Sequence, residues 1–529
     1  MAPGAGFYLA QVRIEDPVFL TPDDVLFLQT QIVDIECQMT QFKKEALEHL
    51  KESSQVTAIE HRQEAMHTRI LLLKNVLAPI RHIPFDILFL IFELVCCSTS
   101  KILDAMHSAT IISQVCIAWS KAAHATSRIW TRLSLSFKLN PRSFLGDFSW
   151  VKAWLTRSRG RPLKVLIELV PEIRPDEVPI HKLTQLVESI APFSCQIQTM
   201  TVLGDPDTYR PLFRLPPSSF LMLEEICISL VRGSDSKKTA TLLKGPKLRR
   251  VTIGEPFCHD SSEPSVLESF ALAEEQLTML VIRGPKFQSD RAVYLDVLQR
   301  CKALEHLTIY LSLPLPSAQP FLGFHEGTSV SLPGLRTLDV TCHQVTGSGV
   351  NLLQCLTCPR LEGLVLSWQG QNLLELVLDV TNFQSRSAVA LLVLTLDLTG
   401  IGQISGQHSH FITGQIVNLL TIFPTVTRFK LLSKVYDVDH LIQAMIWNGD
   451  ESQPKLLPKL RILEFVQREA TSDQHSTSHL EAMVSSRCAA NGSEGRLEAL
   501  FLYGSQFGED SVRIQERKLG IELHYNSYA

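Results

Sequence analysis

Few residues in this sequence have the types and spacing that chemistry requires. Cys355-Leu-Thr-Cys358 has the spacing of half a zinc site, in which two thiolates would take two corners of a tetrahedron. No second pair follows nearby, and the four residues lead into an apolar phrase that reads as a strand. Cys96-Cys97 and Cys116 fall in apolar helical stretches, where cysteine acts as a small buried apolar residue. His61 and His67, on a helical stretch, are six apart and do not share a face. There is no Gly-x-Ser-x-Gly elbow, no Gly-x-x-x-x-Gly-Lys-Ser/Thr phosphate loop and no His-Glu-x-x-His. The expectation is a chain that is not an enzyme, with no catalytic residue, metal or other cofactor.

The elements must then supply the function. At 529 residues the chain is too long for one ordinary core, so several domains or an elongated repeat are expected. A formal net charge of -4 argues against a large nucleic-acid surface, which would show a basic excess. Met1–Leu20 lacks a basic start followed by an apolar run, so no signal peptide is expected. The most apolar run, Ile87–Cys97, is interrupted by Glu93 and is far short of the roughly 18 residues a membrane span needs. Twelve cysteines without a framework of close spacings then read as reduced thiols, and the expected location is the cytoplasm or the nucleus. Asn491-Gly492-Ser493 matches a glycosylation acceptor but, without an export signal, reads as a surface turn.

Thr21-Pro22-Asp23-Asp24 is a helix start: a capping hydroxyl, a proline suited to the first position, and acids at the positive end of the dipole. Leu28, Ile32, Ile35, Met39, Phe42 and Ala46 then form one heptad seam. Ile59, Gln63, Met66, Ile70, Leu73, Leu77 and Ile80 form another, out of phase by one residue. The slip near Ser53-Ser54 fits a stutter in one long helix or a turn between two, and a helix docked on the rest of the chain is the alternative. Pro79 ends the pattern. A coiled coil here would allow self-association. Next comes "HIPFDILFLIFELVCCS", residues 82–98. Pro84 suits a helix start, and the helix is apolar nearly all round, so it must be covered on more than one side. The segment 102–136 supplies one cover. In it Val115, Trp119 and Ala122 share a helical face, and Trp130 begins the exit.

These residues resemble an F-box, in the variant common among fungal F-box-like proteins. "IPFDIL..IFELV", "SQVCIAWSKAA" and "RIWTRLSL" match that family's Leu-Pro-x-Glu-Leu-Leu-x-x-Ile-Phe, Val-Cys-x-x-Trp and Leu-Trp-x-x-Leu segments over about residues 22 to 137. Ile83 and Phe85-Asp86 depart from it conservatively. The "VLAPIRHIP" segment resembles the coiled region that often precedes this F-box.

From about residue 160 a phrase of the form apolar-x-x-apolar-x-apolar recurs. Clear copies begin at Leu248, Leu304, Leu335, Leu361, Leu460 and Leu497, and weaker ones at Ile197, Leu223, Leu277, Leu391 and Val426, with starts 25 to 37 residues apart. Phrase and period are the signature of leucine-rich repeats, each giving a strand and a return helix. Return helices are expected at Asp290–Cys301 and Gly414–Ile422. The ninth position, usually asparagine, holds Pro256, Ser312, His343, Gln369 and Arg468, which points to an irregular solenoid. A parallel α/β fold without repeats is the alternative.

The expected fold is therefore α+β multidomain. A flexible N-terminus (1–21) precedes a long helix or helical hairpin (22–79), a three-helix F-box (80–137) and an α/β leucine-rich-repeat solenoid shaped as an irregular horseshoe (138–529). The resemblance implies the substrate-recognition subunit of a Skp–cullin–F-box ubiquitin ligase. Pro84, Ile87, Leu88, Ile91, Phe92, Val115 and Trp119 would face a Skp-type adaptor, and through it a cullin. Trp119, Trp130 and Leu133 would hold the F-box core, and the solenoid would hold a substrate protein whose identity the sequence leaves open. Neither nucleic acid nor membrane is an expected partner. The alternative function is a leucine-rich-repeat binding scaffold or sensor not linked to ubiquitin transfer.

Overall fold

A computed structural model describes residues 5–9, 16–48, 53–136, 148–169, 180–230, 241–254, 267, 272–284, 291–311, 327, 329–343, 350–370, 373–401, 406–433, 438–447, 456–467, 477–488, 496–503 and 522–526. It is mixed α/β with a large parallel sheet. The chain divides into two units, Met1–Leu135 with Gly146–Leu166, and Ser136–Leu145 with Ile167–Ala529. The residues Gly146–Leu166, expected in the repeat part, thus belong with the first unit.

In the first unit, helix α1 (Ala5–Leu9) precedes α2 (Pro22–Glu48) and α3 (Ser53–Leu77). Thr21 and Asp24 cap α2 reciprocally. The Asp24 N–H donates to Thr21 Oγ1 at 3.1 Å, and the Thr21 N–H donates to Asp24 Oδ2 at 3.1 Å. Lys74 pairs with Glu36 at 3.2 Å, while the Arg62 guanidinium lies 4.9 Å from the Phe42 ring centroid. Contacts that pair 36 with 74 and 42 with 62 run in opposite senses, so the two helices pack antiparallel and do not form one rod. Leu28 and Ile32 meet Ile70, Leu73 and Val76 in their core. Ile80 is not on that seam: it lies past the end of α3 and is exposed. Residues 1–21, expected as a flexible terminus, add Tyr8 and Val18 to the same core, and the Tyr8 hydroxyl accepts from the Phe19 N–H at 3.1 Å. Helices α4 (Phe85–Cys97), α5 (Ile102–Gln114) and α6 (Ile117–Ala125) follow, then a 3-10 turn (Ser127–Trp130), strand β1 (Arg132–Ser136), helix α7 (Ser149–Arg157) and strand β2 (Leu163–Leu169), with Ser136 of β1 and the residues of β2 from Ile167 on assigned to the second unit.

In the second unit each apolar phrase coincides with a strand. These are β3 (Ile197–Gly204), β4 (Glu225–Leu230), β5 (Arg250–Gly254), β6 (Met279–Gly284) and β7 (His306–Leu311). A two-residue strand β8 (Val330–Ser331) precedes β9 (Thr337–His343), and β10 (Leu356–Thr357) precedes β11 (Gly363–Gln369). Then come β12 (Val393–Asp397), β13 (Arg428–Ser433), β14 (Ile462–Gln467), β15 (Ala499–Tyr503) and β16 (Glu522–Asn526), the last outside the eleven phrases. From β3 to β16 the strands lie side by side in chain order, with β8 and β10 pairing separately, and the pairings are parallel.

The register explains the phrase. Leu338 aligns with Leu364, which aligns with Leu394, and two residues on Val340, Leu366 and Leu396 align in the same way. Side chains two apart share a face, so these two rows stack into one core. The leading residue of each phrase, such as Leu335, Leu361 or Leu391, is buried beneath the start of its strand. Return helices include Arg291–Arg300, Leu373–Ser387, Gly406–Thr421 and Thr477–Cys488. The first matches the expected Asp290–Cys301 segment within the described residues, and the third extends the expected Gly414–Ile422 helix toward the N-terminus. Pro256, Ser312, Arg468 and Asn491-Gly492-Ser493 lie outside the described residues.

Candidate functional site

Helix α4 sorts its apolar residues by angle. Leu88, Phe92 and Cys96, four apart, point inward and are buried. Helix α4 packs on α5 and α6, whose buried residues are Ala105, Ala109 and Ile112 and Ala118, Ala122 and Ala123. Those alanines let three helices pack closely around one large ring, Phe92, whose centroid is 5.1 Å from that of Trp119. Cys116 caps α6 by accepting the Trp119 N–H at its Sγ (3.5 Å). Trp130 closes the domain. It is 1% exposed, its Nε1 donates to Ala123 O at 2.7 Å, and its ring meets that of Trp154 edge-on at 4.5 Å. The Arg157 guanidinium covers Trp130 at 4.7 Å. Leu133 is buried beyond it.

Of the residues expected to face an adaptor, Pro84, Ile87, Ile91 and Val115 are exposed and Trp119 is half-buried against Phe92. Leu88 and Phe92 are not on the surface. At 1% and 0% exposure they belong to the core, because they occupy the face of α4 turned toward α5 and α6. The outward face carries residues the sequence reading did not single out. On α4 these are Leu90, Leu94 (70% exposed) and Val95; on α5 they are Leu103 and Ile111. Their signal was in the sequence: with Ala105, Ala109 and Ile112 on the inner face of α5, Leu103 and Ile111 fall outside it. Glu93, in the middle of this apolar helix, pairs with Arg128 at 3.0 Å.

The sheet of the second unit offers a second surface, on the face opposite its apolar rows. There the Tyr310 hydroxyl donates to Asp339 Oδ2 at 2.6 Å. Burial raises the Asp339 carboxyl above its ordinary range, opposed by the Tyr310 hydrogen bond and by Arg283, and burial with the Asp339 bond pushes the Tyr310 hydroxyl to about 12. Asp339 Oδ1, shielded from solvent, accepts no hydrogen bond. Asp397 Oδ1 accepts from the Thr399 N–H at 3.0 Å and its hydroxyl at 2.6 Å. Lys430 pairs with Glu464 on the same face.

The cysteine pair sits elsewhere. Cys355 and Cys358 are buried where the return layer meets β10, and burial pushes their thiols to about 11 and about 12, so neither is a thiolate near neutral pH. The Cys358 N–H donates to Ser387 Oγ at 3.0 Å. Among the described residues no three His, Cys, Asp or Glu side chains gather to hold a metal ion, and no helix is long and apolar enough to cross a membrane. No protein-family model matches the chain, and no curated protein matches it.

Proposed function

We propose that the chain is the substrate-recognition subunit of a cullin–RING ubiquitin ligase of the Skp–cullin–F-box type. In this reading α4, α5 and α6 are the F-box, and the strands from β3 on form an irregular leucine-rich-repeat solenoid that holds a protein substrate. The chain catalyses nothing itself. It raises the effective concentration of substrate beside the ubiquitin-loaded enzyme. One observation carries the reading: large apolar side chains, Ile87, Leu90, Ile91 and Leu94 among them, stand exposed on a helix whose other face is locked into a tryptophan-closed core. An apolar stripe on a well-packed helix is a cost unless a partner covers it.

The test is capture of a Skp-type adaptor by the full chain. Ile91→Glu with Leu94→Glu should cut capture by at least about 10-fold, the loss expected for interface anchors, with an unchanged thermal melt. Leu88→Glu is unsuitable for this purpose because it puts a charge in the core and should unfold the first unit. Undiminished capture by the folded double variant overturns the assignment.

A further inference from the structure

The outer face of the sheet divides into two chemically distinct stretches. Between β9 and β12 the aligned positions run Asp339, Val365, Thr395 in one row and Thr341, Ser367, Asp397 in the next outward row. Two carboxylates thus flank a floor of small side chains. Arg283 and Tyr310 border it, aligned with each other on β6 and β7. The group carries two carboxylates against one guanidinium, and the ammonium of Lys430 on the next strand is taken up by Glu464. One oxygen of the half-buried Asp339 has no donor, and a cation seated beside it would offset that carboxylate's burial. Beyond β12 the outward row turns apolar, while the other row holds the Lys430–Glu464 ion pair. Leu432 and Val466 are aligned on β13 and β14, and the next aligned position on β15 is Tyr503. Tyr503 stacks on Phe501 with ring centroids 6.4 Å apart and planes 12° from parallel.

We infer that this face binds an extended peptide segment of a partner protein, seating a lysine or arginine side chain between Asp339 and Asp397 and an apolar or aromatic side chain on Leu432 and Val466 beside the Phe501–Tyr503 rings. Charge complementarity selects the first residue, and an apolar floor edged by stacked aromatic rings selects the second. Strands lie about 4.8 Å apart, so the middle of the acidic slot on β11 and the apolar floor on β14 are about 14 Å apart. An extended chain advancing about 3.4 Å per residue spans that in about four residues. The recognised segment is therefore a basic residue and an apolar or aromatic one about four positions apart. This inference deepens the proposed function, resting on the reading that the second unit holds the substrate.

The experiment selects from a displayed library of random ten-residue peptides with the immobilised full chain. The expected result is enrichment of that basic–apolar spacing. A synthetic enriched peptide should bind Asp397→Asn or Asp339→Asn about 10-fold or more weakly, the loss of one charge-assisted contact. The same peptide with its basic residue changed to glutamate should lose binding to the unaltered chain, a result independent of how the variants fold. No enrichment, an enriched motif without a basic residue, or binding indifferent to the peptide's charge would overturn the inference. Adaptor capture measured on the same preparation keeps the two proposals apart: capture without peptide selectivity sinks only the peptide site, and selectivity without capture sinks only the ligase role.

Discussion

Single side chains set the strength of each unit. Trp130 is buried, hydrogen-bonded through Nε1 and packed edge-on against Trp154. Trp130→Ala should therefore destabilise the first unit by about 3–5 kcal/mol, measured by urea denaturation, and Trp130→Phe by less, because an aromatic ring survives and the Ala123 carbonyl keeps the Thr126 N–H as a donor. His124 lies 5.6 Å from the Trp130 ring; partial burial first, and the charge of Arg157 second, hold its pKa below the usual histidine value. The unfolded chain then takes up a proton more readily than the folded one. Stability should fall as pH drops through the ordinary histidine range, and His124→Gln should flatten that part of a stability-against-pH curve. Arg487 is fully buried; it donates to the carbonyls of Met445, Leu456 and Leu457 at 2.7 to 3.0 Å and lies 4.8 Å from the Trp447 ring centroid. Burial lowers its pKa to about 10, so it stays charged near neutral pH. Arg487→Met should cost about 3 kcal/mol, because three carbonyls lose a charged donor at once and, among the described residues, only Leu457 keeps another, the Leu460 N–H.

Whole elements are held by their ends and by their inner faces. Helix α4 shows both: Pro84 starts it, and the four-residue spacing of Leu88, Phe92 and Cys96 decides which side turns in. Strand β3 ends at Gly204, whose φ of 137° suits glycine alone, and a Cβ there would sit 2.7 Å from the Leu169 carbonyl oxygen. The Tyr209 hydroxyl donates to the Leu203 carbonyl beside it, so the turn is also pinned from the side. Gly204→Ala should destabilise the second unit by about 2 kcal/mol, from strain and close contact together, as read by the midpoint of urea unfolding. Buried Asp379 plays the same part in the return layer. It accepts from Asn351 Nδ2 at 2.7 Å and from the Gln354 side chain, tying the helix Leu373–Ser387 to the segment that carries the cysteine pair.

At the scale of the molecule the described residues pack into a separate core in each unit, besides the smaller one between α2 and α3. The first closes around Phe92, Trp119 and Trp130; the second is the double row of aligned apolar side chains running from β3 through β15. Each row position touches only its neighbours in the stack, so a cavity in the middle weakens the second core and leaves the first alone. Leu364→Ala, at the centre of the rows, should cost about 2–5 kcal/mol. In a thermal scan it should lower one of two transitions, and Trp130→Ala should lower the other. A single transition moved by both variants would show that the units unfold as one.

The sequence by itself determined what depends on short-range pattern. The phrase apolar-x-x-apolar-x-apolar marks eleven strands because its alternating positions must share a face, and the Thr21-Pro22-Asp23-Asp24 cap marks where α2 begins because backbone N–H groups there need partners. The strand β16 escaped because Leu523 and Tyr525 lack the full phrase. Only the tertiary structure decided which side of an all-round apolar helix is free. Leu88 and Leu94 are chemically alike in the sequence; packing against the alanines of α5 and α6 buries one and leaves the other in solvent. It alone also aligned Asp339 with Val365 and Ser367 with Asp397, since register between strands tens of residues apart follows from how the rows stack and not from any local spacing.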